Sequence, residues 1–132
     1  MLKVREFTGA TGLLSAVYLR HAGGALELVR EIAGRTDVTT LPARALAAVM
    51  SRYGAAFDPD APISVVAALD LGPGVTLRHV RHIAGYDVIG RDYLVYEVDG
   101  AETLCVLAAS VARALEHLAD AVRARRTADR SP

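Results

Sequence analysis

The chain has one cysteine, no tryptophan and two phenylalanines in 132 residues. The single cysteine, Cys105, excludes an intrachain disulfide, so the fold must rest on packing alone. It lies in an apolar run and reads as a small buried residue rather than a nucleophile. Lysine is as scarce. Lys3 is the only one, and every other basic residue is arginine. Net charge is lacking too, because 15 basic and 15 acidic side chains cancel. A neutral chain has no overall attraction for nucleic acid or an anionic membrane surface, so neither is expected as a partner. No apolar run approaches the ~20 residues that span a bilayer. The N-terminus lacks a basic stretch followed by an apolar one. No signal peptide is expected, and the expected compartment is cytoplasmic.

What is present is apolar bulk: 52% of the residues are hydrophobic. A chain of this length fits one domain, read as residues 1–126 with a polar tail at 127–132. The composition has two explanations. Either alanine simply fills ordinary helices, or one face is buried against a second copy, which makes a homodimer the expected assembly.

Taken in order, Met1 to Phe7 reads as a strand broken by the run Thr8 to Gly12. From Leu14 to Ile32, apolar residues at spacings of three and four predict helix, interrupted at Gly23-Gly24 and stopped at Gly34. Thr36 to Thr40 reads as loop, with Thr40 as N-cap of a second helix that ends at Gly54. Phe57 to Pro62 reads as a surface loop, Ile63 to Leu71 as a strand, and Gly72-Pro73-Gly74 as a turn. Val75 to Ala84 fits strand or helix, with strand favoured by the turns that bracket it. Asp99-Gly100 predicts a two-residue hairpin turn between Tyr93–Val98 and the run up to Ala108. A last helix follows from Ser110, although helical spacing allows it to begin near Glu102. No internal repeat is visible. The expected fold is α+β: helices in the N-terminal half, a mostly antiparallel sheet in the C-terminal half, and a C-terminal helix packed on it.

Two stretches resemble known families. Phe7 to Val17 contains Thr-Gly-Ala-Thr-Gly and resembles the opening of short-chain dehydrogenase and NmrA-like Rossmann domains. The resemblance implies a strand, a Gly-rich turn at Gly9 and Gly12, and a helix whose N-terminus holds a pyrophosphate. Ser15 stands where that family has its third glycine, and the charges of Lys3, Arg5 and Glu6 depart from an all-apolar central strand. Leu77 to Val98 resembles protein kinases from the end of helix C through the hinge. The chain has no Gly-rich loop, catalytic-loop motif or Asp-Phe-Gly, so no kinase activity is expected.

Chemistry-bearing residues concentrate in Arg78, His79, Arg81, His82, Tyr86, Asp87, Arg91 and Asp92. As a functional site these would bind a small polar or anionic molecule, with Arg81 or Arg91 as anion donor and His79 or His82 as proton carrier. As a structural feature they form a solvated edge with local Arg–Asp pairs, each contributing about 1 kcal/mol or less. His79 and His82 have no third ligand at a suitable spacing, so no metal is expected, and no cofactor is implied. Glu97 and Glu102 are placed opposite each other across the hairpin, which requires a cation nearby or another register. The leading expectation is a non-catalytic, self-associating binding or accessory protein. The alternative is a small cofactor-independent enzyme or metabolite-binding protein that uses residues 78–92.

Overall fold

The computed structural model describes residues 1–8, 12, 14–57, 63–82, 92–100 and 102–130. The chain folds as two successive four-strand meanders, each running directly into a helix. The first comprises β1 (Leu2–Thr8), β2 (Leu14–Ala22), β3 (Ala25–Ile32), β4 (Arg35–Leu41) and α1 (Ala43–Tyr53). A two-residue strand, β5 (Ala55–Ala56), links it to β6 (Ile63–Gly72), β7 (Val75–His82), β8 (Asp92–Val98), β9 (Glu102–Leu107) and α2 (Ala108–Arg130). All strand pairs are antiparallel, giving one sheet in the order β1-β2-β3-β4 and another in the order β5-β9-β8-β7-β6. The fold therefore repeats where the sequence does not.

The first expected N-terminal helix is overturned, so helices do not make up the N-terminal half: Leu14 to Ile32 is a β-hairpin, and Thr36 to Thr40 is the body of β4 rather than a loop, whereas the second expected helix, ended by Gly54, is present as α1. Gly23 and Gly24, read as a helix interruption, form the hairpin turn, with φ of 57° and 79°. The misleading signal is physical. Val17, Leu19, Leu26 and Leu28 face the core, but Ala16 and Val29, which alternation places on the opposite face, are also buried. Apolar residues on both faces erase the period of two that marks a half-buried strand and leave spacings of three and four by accident. Thr40 is accordingly no helix cap. Pro42 takes that place with extended dihedrals (φ −58°, ψ 140°) and no side-chain cap.

The second half follows the sequence more closely. Val75–His82 is a strand, and Asp99 and Gly100 turn the β8–β9 hairpin with φ of 50° and 68°. The last helix begins at Ala108, directly after β9, and continues to Arg130. Thr127 lies inside it, its hydroxyl donating to the Arg123 carbonyl at 3.1 Å.

One core joins the two units. The inward faces of both sheets meet Leu46, Val49 and Met50 of α1 and Val111, Ala112, Leu115 and Ala119 of α2. Each fully buried leucine contributes about 1.5–3 kcal/mol relative to exposure. Helix α2 crosses to the first sheet, where ion pairs fix it: Arg5–Glu116 at 2.8 Å, Arg30–Asp120 at 2.9 Å, and Arg123–Asp37. Gly54 ends α1 against β9. A Cβ there would collide with the Met50 carbonyl oxygen and stand 3.1 Å from Leu104.

Candidate functional site

The Arg/His/Asp stretch is only partly gathered. The strand phase that turns Leu77 to the core puts His79 and Arg81 on the same face; His79 is buried there, while Arg81, near the strand end, stays exposed directly across from Asp92. Arg81 Nε donates to Asp92 Oδ1 at 2.9 Å. His79 is 7% exposed, with Nε2 3.4 Å from Asp92 Oδ2. That contact lacks hydrogen-bond geometry, so Nε2 is a buried nitrogen with no hydrogen-bond partner. Asp92 thus presents one carboxylate oxygen to each basic side chain, an arrangement that can orient an imidazole. Arg78 takes the opposite face and pairs with Glu97 at 3.2 Å. His82 ends β7; its side chain, and the whole of Tyr86, Asp87 and Arg91, lie outside the described residues.

Glu97 does not face Glu102. It stands across from Thr103, while Glu102 faces Val98. Both expected remedies for the like-charge couple are present: a different register and a neighbouring cation, Arg78. The Thr8–Gly12 stretch leads into β2 rather than a helix, so the strand–turn–helix needed for a pyrophosphate does not follow it. Cys105 lies beside Ala55 of β5, and burial pushes its thiol up to about 11 from 9.0. At neutral pH the thiol is therefore protonated and weakly nucleophilic. No group of three or more metal-ligating side chains occurs among the described residues.

A second feature was not anticipated from the sequence. The two sheets have four edges, and an exposed edge strand offers unpaired N–H and C=O groups to any other chain. Three edges are protected. β1 carries a register shift between Lys3 and Arg5. β6 has two shifts, at Val65/Ala67 and Asp70/Gly72. At the third, β5, only two residues long, pairs with Leu104 and Cys105 of β9. β4 has no such device. It pairs with β3 without a shift over seven residues and contains neither proline nor lysine; its charged residues are Arg35, beside the turn, and Asp37.

The turn before β4 fixes which groups point outward. Ala33 and Gly34, with φ of 51° and 81°, form a two-residue turn of the type whose flanking pair, Ile32 and Arg35, exchanges both backbone hydrogen bonds. Alternation then commits Arg35, Asp37, Thr39 and Leu41 to β3 and leaves the N–H and C=O of Thr36, Val38 and Thr40 on the free edge. The same phase is visible one strand earlier, where Ala33 N–H donates to the Leu14 carbonyl at 3.4 Å. Val38 is 42% exposed on the outward face and extends a cross-strand row through Val29 and Tyr18. The inward charge of Asp37, an effective edge guard if left free, is neutralised by Arg30 (3.0 Å) and Arg123. The β-branched run Thr36, Val38, Thr39, Thr40 was the available sequence signal.

No protein-family model, curated protein or solved structure matches the chain.

Proposed function

We propose that this chain is a non-catalytic, self-associating protein in which two copies join β4 to β4 about a twofold axis at Val38. The observation that carries the reading is the contrast among the edges: β4 is regular and unpaired among the described strands, while each of the others is bulged or too short to extend. The strand is also self-complementary. Antiparallel pairing centred on Val38 places Thr36 against Thr40 and Asp37 against Thr39 of the second copy, so no like charges face each other. Its outward-pointing groups are the three residues such a pairing uses, and they supply the N–H and C=O groups for an eight-stranded continuous sheet. The row Tyr18–Val29–Val38 would then continue into its symmetry mate, which is how an isologous interface is built.

No helix among the described residues is long and apolar enough to cross a membrane. The single, weakly nucleophilic cysteine supports the cytoplasmic setting that accompanies this reading. Sedimentation equilibrium tests it with Val38→Pro. Proline at an edge position removes only the outward N–H and spares the β3 ladder. The wild type is expected to sediment at twice its 14.0 kDa mass and the variant at the chain mass with an unchanged circular dichroism spectrum. A wild-type monomer at high concentration would end the proposal.

The Asp92 cluster favours a second reading, a metabolite binder that uses Arg81 as anion donor. Asp92→Asn releases Arg81 and would tighten binding of a carboxylate or phosphate probe. Unchanged affinity for either anion removes this reading.

A further inference from the structure

A cavity of about 160 Å³ lies where the turn ends of the two sheets meet α1. Its walls come from six elements: His21 of β2, Leu26 of β3, Leu46 of α1, Leu71 of β6, Val75 of β7 and Tyr96 of β8. Leu26 and Leu46 are each 1% exposed, so the floor is fixed by the core itself. His21 and Tyr96 supply the hydrogen-bonding side chains in this otherwise apolar lining. Neither makes a side-chain hydrogen bond or ion pair to another described residue. The groove at the other end of the first sheet differs: it is lined by charged side chains, of which Arg30, Asp37, Asp120 and Arg123 pair with one another and Arg35 adds a further cation.

We infer that the cavity between the sheets is a binding site for a small neutral ring molecule carrying one hydroxyl, of the size and polarity of phenol. Three observations converge on that class. The volume matches the ~150 Å³ at which an apolar cavity in a folded protein accepts benzene. Among the described residues no lysine, arginine, aspartate or glutamate lines the site, so a charged ligand would lose its hydration without a counter-ion. A neutral imidazole and a phenol can each donate and accept a hydrogen bond, so one ligand hydroxyl can accept from one and donate to the other. The apolar walls take the ring, and the two polar groups orient its single polar end. Because the site joins both sheets and α1, occupancy stabilises the assembled fold over the unfolded chain.

The test is titration of the full chain with phenol, followed by the methyl resonances of Leu26, Leu46, Leu71 and Val75. Benzene and benzoate serve as comparison probes. The wild type is expected to give saturable shifts confined to those methyls, with a rise in Tm. Tyr96→Phe is expected to weaken phenol about tenfold and leave benzene unchanged, because only the hydrogen bond is lost. Ala43→Leu, at the first residue of α1, which also lines the cavity, adds bulk to its wall and abolishes binding of both; Val75→Ile is the milder blocking variant. Methyl shifts that stay linear in phenol, shifts spread over the surface, or benzoate binding as tightly as phenol would each overturn the inference. The wild-type titration decides the question even if a blocking variant fails to fold.

Discussion

The two meander–helix units share one plan and differ in how each ends. In the second unit the last strand, β9, is flanked by β5 before the chain enters α2. In the first, β4 enters α1 with no described strand paired to its outer side. The helices differ as well: α1 has 11 residues, whereas α2 has 23 and reaches across to the first sheet. The second unit therefore caps the middle of its β9 edge and supplies the brace for the first, while no described strand caps β4. Such an asymmetry within a repeated plan is what a chain that assembles through one of its halves requires. An open regular edge is otherwise a liability that natural sheets blunt.

The largest expected effect tests whether the units are one cooperative body. Leu115 of α2 is fully buried in the common core. Leu115→Ala is expected to cost about 2–5 kcal/mol in denaturant unfolding and to shift the signals of both units together. Two separate transitions would mean that each unit folds alone. Next is the contrast between edges. Val38→Lys places two like charges at the proposed twofold axis and is expected to weaken self-association at least tenfold, or about 1.4 kcal/mol. Val65→Lys, at a bulged edge where Val65 is already 52% exposed, should leave the mass unchanged in sedimentation. Equal effects of the two would erase the distinction between β4 and β6.

A smaller effect is expected at the brace. The Arg30 side chain, 11% exposed, donates to Asp37 and Asp120. Arg30→Met should destabilise by about 1–2 kcal/mol, less than a fully buried pair because Asp37 retains Arg123. It should also weaken self-association, by leaving Asp37 less neutralised at the edge. The smallest effect reports on the closed edge. The Cys105 thiol has its pKa raised by burial from 9.0 to about 11. The resulting stability is present below pH 9 and is lost as pH rises toward 11. Alkylation should be slow at pH 8, with a rate that still climbs above pH 10. A plateau near pH 9 would show β9 to be more open than its pairing with β5 implies.

The second unit was legible because its turns carry strong residue signals. Gly72-Pro73-Gly74 and Asp99-Gly100 bracket runs of β-prone residues, and both turns fall where those residues place them. The first unit was obscured by the burial of Ala16 and Val29 on the outward face and by glycines that suit a helix break as well as a hairpin. The chemistry-bearing residues were legible by type, and the pairing of Arg81 with Asp92 follows from hairpin register. The edge was not, because openness belongs to the sheet as a whole. Thr36, Val38 and Thr40 gain meaning only once β1, β5 and β6 are known to be protected.

Amide hydrogen exchange along β4 tests the central claim most directly, since a single strand contains both the probe and its control. Asp37 and Thr39 bond to β3 and should be protected at every concentration. Thr36, Val38 and Thr40 should exchange slowly in concentrated protein and fast on dilution, as the second copy leaves. Fast exchange of those three amides at all concentrations would contradict pairing through β4.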